Sequence, residues 1–406
     1  MSLNFSDTEI AFRSKTDADL KKAHWLFKSF NSTFLVQKGP LIAAWALRWH
    51  FPFMKSMVKG TIFHQFCGGE SIDECQAVID QLKKGNVKSI LDYSVEGEEN
   101  EGAFDHTCEE IIRTVYKAAA QRDAIAFSVF KTTGIVRFAL LEKANQSYLK
   151  ALQERRHLDL KELKGVMTDA ELDEFTKAYH RFEKICKTAA EMKVRLFIDA
   201  EDSWVQDTID AWCEEMMERY NKETYLIYTT TQMYRHDRVA YIKRLNEIAE
   251  QRGFYIGIKL VRGAYMEKER LRAREMNYRD PIQPDKESCD RDYDDATHFC
   301  LSHDRIAICA GTHNEESSMK LARWMEQRGI APNNDRIFFA QLLGMSDHIS
   351  FNLGDAGFCV AKYVPYGPVL KVLPYLSRRA AENSSVKGQV GRELNLIRTE
   401  LKRRHN

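Results

Sequence analysis

Eight short runs rich in β-branched and aromatic residues recur along the chain at intervals that leave room for helices, and they limit its fold more than any other feature. They are Ser89 to Val95, Ala124 to Lys131, Val194 to Ala200, Thr224 to Gln232, Tyr255 to Arg262, Arg305 to Thr312, Arg336 to Leu342 and Phe358 to Val364. Several are almost continuously apolar, the pattern of parallel strands covered on both faces. Charged, periodic segments lie between them, such as Trp204 to Asn221, Asp237 to Arg252 and Ser317 to Arg328. Eight alternations of strand and helix predict an α/β fold, a (β/α)8 barrel with its functional rim at the C-terminal strand ends. A doubly wound sheet is the rival, but it would need a phosphate-binding glycine loop. Neither GxGxxG nor GxxxxGK[ST] occurs.

Residues 1–85 carry helical patterns with little strand character and predict an N-terminal helical arm. The barrel is expected over 86–390, and a basic C-terminal helix over 391–406. The gap between Lys131 and Val194 is longer than a usual crossover. It predicts a helical insertion after the second strand, over about 140–192.

Composition excludes several function classes. The 406 residues are 44% hydrophobic and 29% charged, which suits a large buried core. A net charge of +1 gives no support for a polyanion partner such as nucleic acid. Nine cysteines without a CxxC pair predict reduced thiols in a reducing compartment. No secretory signal opens the chain, and Asp7, Glu9, Asp17 and Asp19 argue against a transit peptide. The apolar block Leu41 to Leu47, followed by Arg48, His50 and Lys55, is too short for a membrane span, which needs about 20 mostly apolar residues. It is either a buried helix or an amphipathic one touching a membrane surface.

The strand ends offer Lys131, Asp199, Gln232, Lys259, Arg262, Thr312-His313-Asn314 and Tyr363. No nucleophile stands beside a base, which disfavours acyl transfer. Asp290, Asp292, Asp294 and Asp295 begin like a calcium loop, but Asp295 stands where glycine is needed and Leu301 where a bidentate acid is needed. His298 and His303 are wrongly spaced for one helical face, so no metal is expected. Near the C-terminus, Tyr375 to Asn383 places Arg378 and Arg379 one turn before Glu382, the outline of a carboxylate receptor. Taken singly, these residues have plainer readings: Arg378 with Glu382 as a surface pair, Tyr363 and Tyr375 as core aromatics, Asp199 as a strand-end cap, Thr312-His313-Asn314 as a turn.

Taken together, Leu373-Pro374-Tyr375-Leu376-Ser377-Arg378-Arg379-Ala380-Ala381-Glu382-Asn383 resembles the substrate-binding helix of the proline dehydrogenase family. Further family motifs occur in order: Phe130-Lys131, Ile198-Asp199-Ala200-Glu201, Gln232-Met233-Tyr234, Lys259 to Tyr265, and Thr312-His313-Asn314. The resemblance runs from about Leu91 to Asn383. It implies a distorted (β/α)8 flavoenzyme of the monofunctional type. Such an enzyme holds FAD without a covalent link and oxidises L-proline to 1-pyrroline-5-carboxylate by hydride transfer to flavin N5, the first step of proline catabolism to glutamate.

By position, the resemblance implies that Arg378, Arg379 and Lys131 receive the proline carboxylate, a task suited to guanidinium forks. Glu382 orients the arginines, Tyr363 and Tyr375 wall the ring, and Leu342 adds an apolar contact. Asp199 and Lys259 carry the catalytic roles, Asp199 by bonding the Tyr363 hydroxyl and Lys259 as the cation beside the flavin. Ala200, Gln232, Val261, Arg262, Gly263, Ala264, Thr312, His313 and Asn314 match cofactor contacts, with Gly263 letting backbone approach the flavin. Lys259 stands where bacterial members carry arginine, which keeps the charge but loses the planar fork.

The implied electron acceptor is a membrane quinone. The implied location is the cytoplasm, with peripheral contact at the inner face of the cytoplasmic membrane through the Leu41 to Leu47 block or the basic tail Arg398, Lys402, Arg403 and Arg404. Two alternatives are a flavin barrel preferring hydroxyproline or another cyclic amino acid, and a non-catalytic flavin-binding sensor.

Overall fold

In the computed structural model, residues 3–30, 32–49, 51–95, 99–385 and 389–405 are described. His50, part of the apolar stretch singled out above, lies outside them. Eight parallel strands hydrogen-bond in sequence order and close into a barrel. They are β1 (Lys88–Tyr93), β2 (Ile125–Lys131), β3 (Arg195–Asp199), β4 (Ile227–Gln232), β5 (Ile256–Val261), β6 (Ile306–Gly311), β7 (Ile337–Leu342) and β8 (Val360–Tyr366). All eight coincide with the runs read from sequence. The last needs correction: β8 continues three residues past Tyr363, so that tyrosine sits within the strand rather than at its end.

The chain divides into two compact units. One comprises Gly97–Arg122 and Ala126–Phe339 and holds most of β2 through β7. Its strands follow one register, in which Phe197 pairs with Tyr228, Tyr228 with Gly257, and Gly257 with Ala307. Successive side chains alternate between faces, so Tyr228, Thr230 and Gln232 share a face, as do Gly257, Lys259 and Val261. Low on that face an aromatic layer forms: Phe127 stacks on Phe197 with centroids 4.1 Å apart and meets Tyr228 and Phe338 edge-on. Gly257 lacks a side chain because the Tyr228 ring occupies that space, 2.4 Å from where a Cβ would stand. The floor is therefore filled, and polar chemistry is pushed to the strand ends.

Between β2 and β3 the chain forms two long helices, Phe138–Gln153 and Asp169–Glu191. The second opens with a capping box, in which Thr168 accepts from the Glu171 amide and Glu171 accepts from the Thr168 amide. Phe138–Gln153 packs on Ser203–Tyr220, where Asn145 accepts from the Asp207 amide and donates to its carboxylate at 2.8 Å.

The other unit comprises Met1–Glu96, Asp123–Ile125 and Ala340–Asn406. Its core gathers Phe12, Phe27, Phe30 and Phe66 from the N-terminal helices with Val372, Leu376 and Ala380 near the C-terminus. The arm joins β8 at Gly68, whose amide donates to the Pro365 carbonyl at 2.8 Å. A Cβ on Gly68 would lie 2.5 Å from Val364, so only glycine allows this approach. Lys362, fully buried on β8, donates to the Leu342 and Met345 carbonyls at 3.2 and 2.7 Å and pairs with Asp347 at 2.9 Å. Lys15 pairs with the same carboxylate at 2.5 Å. All three donors of the Lys362 ammonium are thus engaged, which fixes the strand that carries Tyr363.

The basic tail belongs to the helix Gln389–His405 and is used internally. Arg404 binds the Phe12 and Lys15 carbonyls and Asp17, while Glu400 holds Arg403 and Arg404. Both cations are thus paired with a carboxylate of their own helix.

Candidate active site

The ends of β2 to β6 carry one group of predicted residues. Lys131 and Asp199 close their strands and lie opposite each other in register. Lys259, 4% exposed, sits one layer above the aromatic floor and donates to the Asp199 carboxylate. Its ammonium lies 5.3 Å over the Phe197 ring. A buried cation is tolerable here because a carboxylate and a π face replace its water shell. Above it, Gln232 faces Val261 in register. The Gln232 amide donates to the Glu201 carbonyl at 2.7 Å and accepts from the Ala264 amide at 3.4 Å. It therefore ties the loop after β3 to the loop after β5.

Arg262 follows β5 directly. It donates to Asp290 at 2.7 Å, Thr312 at 2.7 Å and Ser317 at 3.0 Å, and its guanidinium lies 4.4 Å over Tyr293. Among the described residues three of its five N–H groups are engaged, which leaves two for a ligand. The Thr312 hydroxyl also accepts from the Asn314 amide at 3.1 Å. Asn314 caps the helix Glu315–Gln327 by accepting from the Ser317 amide at 3.0 Å, so its side-chain oxygen already has structural work. His313 lies half-buried between them. A fixed guanidinium beside a helix N-terminus is the arrangement that binds phosphate.

Gly263 adopts φ +135°, which side-chain-bearing residues rarely enter. The space a Cβ would fill belongs to the Tyr234 ring, 2.6 Å away. The reason for glycine therefore differs from expectation: its missing side chain accommodates Tyr234, while what it offers a ligand is exposed backbone, as does Ala264. Ala200, just past β3, is half-buried. These groups fit a dinucleotide: partly exposed amides, a half-engaged arginine and a helix N-terminus.

The second group lies in the other unit. The Tyr363 carbonyl accepts from the Leu343 amide at 2.9 Å, and Leu342 packs against the core cluster that contains Tyr375. The helix Leu373–Ser385 buries Leu373, Leu376 and Ala380 in that cluster, at the i, i+3, i+7 spacing of one helical face. Tyr375 is 6% exposed and its hydroxyl has no hydrogen-bond partner among the described residues. Arg379 lies 5.1 Å over the Tyr375 ring and donates to Glu382 at 2.6 Å. Burial raises the Glu382 carboxyl above its usual range against the pull of Arg379 and Arg378. Burial likewise raises the Tyr375 phenol, which keeps it a donor. An orphaned buried hydroxyl beside a buried guanidinium fits a small anionic ligand.

Sequence reasoning missed the groups that hold these residues. Glu201 accepts from Thr133 at 2.6 Å and Tyr265 at 3.2 Å. Asp290 and Asp294, weighed above only as calcium ligands, anchor Arg262 and Ser317 from the helix Lys286–Leu301. Their spacing of four, one face of a helix, was the available signal.

Comparisons with known proteins place the chain in a family. Human mitochondrial proline dehydrogenase 1 is 42% identical over 253 residues, covering 60% of this chain and 42% of the relative. The chain thus spans less than half of that relative's length. A hydroxyproline dehydrogenase of Xenopus laevis is 30% identical over 423 residues, covering 99% of this chain and 90% of the relative. Among solved structures, proline utilization A of Bdellovibrio bacteriovorus superimposes with a TM-score of 0.69 at 19% identity, covering 94% of this chain and 38% of that one. The likeness supports the barrel fold. The model of the proline dehydrogenase family matches residues 75–392, and the chain belongs to that family.

Proposed function

We propose that this chain oxidises L-proline to 1-pyrroline-5-carboxylate with non-covalently bound FAD and passes the electrons to a membrane quinone. The observation that carries the reading is the helix Leu373–Ser385, where Arg379 is buried against Tyr375 and held by Glu382. On this reading Arg378 and Arg379 bind the substrate carboxylate, with Lys131 as a further cation, and Glu382 keeps the Arg379 fork aligned. Tyr363, Tyr375 and Leu342 shape an apolar wall that excludes water from the ring carbon beside nitrogen. Asp199 holds Lys259.

The flavin, when bound, supplies a two-electron acceptor. Gln232, Val261, Gly263, Ala264 and Ala200 would hold its ring, and Arg262, Thr312, His313 and the helix start at Asn314 its phosphates. Lys259 would supply a fixed positive charge to such a ring, because its ammonium is already held by Asp199. No disulfide joins the nine cysteines among the described residues, and we place the protein in the cytoplasm with peripheral contact at the inner face of the cytoplasmic membrane. The human relative's name carries "mitochondrial". No helix among the described residues is long and apolar enough to cross a membrane.

A second reading follows from the Xenopus laevis relative, a hydroxyproline dehydrogenase matched along almost the whole chain. Tyr363 argues against it, because its hydroxyl would take the room a ring hydroxyl needs. Steady-state turnover of both substrates decides the matter. Proline should have the higher kcat/KM, and a preference for hydroxyproline would reverse the assignment.

A further inference from the structure

A cavity of about 630 Å³ lies in the unit that contains the N-terminal arm, within the size range of small-molecule sites. None of the residues assigned above to proline or flavin lines it. Its walls come from the helices Asp17–Ser29, Gln76–Lys84 and Asp347–Asp355, and its lining reaches Lys362 on β8. Each of these helices turns an apolar face inward, as amphipathic helices do. Here the faces leave a gap, lined by Ala23, Leu26, Val78, Leu82 and Phe351 together with Leu343 from the loop after β7.

Charge decides what such a space would hold. The lining brings four lysines, Lys15, Lys21, Lys22 and Lys362, against two carboxylates, Asp19 and Asp347. Both carboxylates are already engaged. Asp347 pairs with Lys15 and Lys362, and Asp19 accepts from the Thr16 hydroxyl at 2.7 Å and the Thr16 amide at 3.1 Å. Lys362 has no donor left, but Lys15 meets a single carboxylate oxygen and, among the described residues, keeps two N–H groups. Its side chain is 19% exposed on this lining, and Lys21 and Lys22 stand exposed at the mouth. The unspent charge is therefore positive and set against apolar walls. An uncharged apolar molecule would strip water from the Lys15 ammonium without replacing it. A small inorganic anion would leave the apolar walls in contact with water. A carboxylate on a hydrocarbon body satisfies both.

We propose that this cavity binds a small amphiphilic carboxylate, its anion held by Lys15, its hydrocarbon body against Leu26, Val78 and Leu82, and Lys21 and Lys22 adding attraction at the mouth. The site goes beyond the proline reading and does not depend on it.

The test is isothermal titration of the full chain loaded with FAD, with decanoate, decanol and inorganic phosphate as probes. One decanoate should bind per chain, about tenfold or more tighter than decanol, the value of a charge-assisted contact. Phosphate should bind far more weakly than decanoate. Lys15→Gln, which keeps a donor for Asp347 but removes the charge, should weaken decanoate about tenfold. Lys21→Glu/Lys22→Glu should weaken it by a similar factor, less so at high salt, and should keep wild-type turnover of proline. Val78→Trp, which fills the space, should abolish binding. Arg379→Met separates this cavity from the proposed substrate site: decanoate affinity should be unchanged, and its loss would place decanoate with proline and overturn the proposal. Decanol binding as tightly as decanoate, phosphate binding as tightly as decanoate, or wild-type affinity in both Lys15→Gln and Val78→Trp would overturn it as well.

Discussion

Lys259→Met isolates the ion pair beneath the proposed flavin. The Lys259 and Asp199 side chains are 5% and 16% exposed, so removing the ammonium strands a mostly buried carboxylate. Breaking a buried pair from one side costs about 3 to 5 kcal/mol, and the partial exposure of Asp199 sets the expectation at the lower end, about 3 kcal/mol. Replacing both members by apolar residues removes the stranded charge. Lys259→Met/Asp199→Leu should therefore lie within about 1 kcal/mol of wild type, for a coupling of about 2 kcal/mol or more. Urea unfolding at several FAD concentrations, extrapolated to zero FAD, measures all four proteins and keeps differences in FAD affinity out of the comparison. In stopped flow, Lys259→Met should also slow anaerobic flavin reduction by proline, while Lys259→Arg, which keeps the cation, should retain most of the rate. Additive losses in the cycle, or a Lys259→Met penalty under about 1 kcal/mol, would refute the claim that the pair is buried and coupled.

Arg379→Met should raise KM for proline about ten- to a hundredfold, the value of a charge-assisted hydrogen bond worth about 1.5 to 3 kcal/mol; steady-state kinetics checks this, and an unchanged KM removes Arg379 from the site. Gly263→Ala forces a side chain into the Tyr234 ring at φ +135° and should destabilise the protein by about 2 to 4 kcal/mol while weakening FAD binding, read by urea unfolding and flavin titration. Burial alone would raise the Asp347 carboxyl, but Lys15 and Lys362 outweigh it and hold the group below its usual range. Because the folded value is the lower one, this contribution is present above the unfolded value of about 4 and is lost as pH falls through it toward the folded value. Asp347→Asn should accordingly flatten the fall in stability below about pH 4, measured by urea unfolding across pH, and an unaltered slope would contradict the assignment.

Apolar patterning made the barrel legible because parallel strands buried on both faces are nearly continuous hydrophobic runs, and all eight runs became strands. The end of β8 was misjudged because Pro365 and Gly367-Pro368 look like strand breakers, whereas Gly68 donates to the Pro365 carbonyl and supports the extension. The candidate residues were legible through a resemblance that keeps their order and spacing. Their supports were less so: Glu201 and Ser317 act through contacts between segments far apart in sequence, for which spacing carries no signal, while the spacing of Asp290 and Asp294 marks one helix face but not its partners. The tail shows the same limit, since its basic run suggests a lipid partner until Asp17, nearly a full chain length away, is found paired with Arg404.

Anaerobic addition of L-proline to the purified, FAD-loaded protein tests the central claim most directly. The account predicts that the flavin absorbance bleaches and that 1-pyrroline-5-carboxylate forms in equal amount. Protein that binds FAD and bleaches with dithionite but stays oxidised with proline would contradict it.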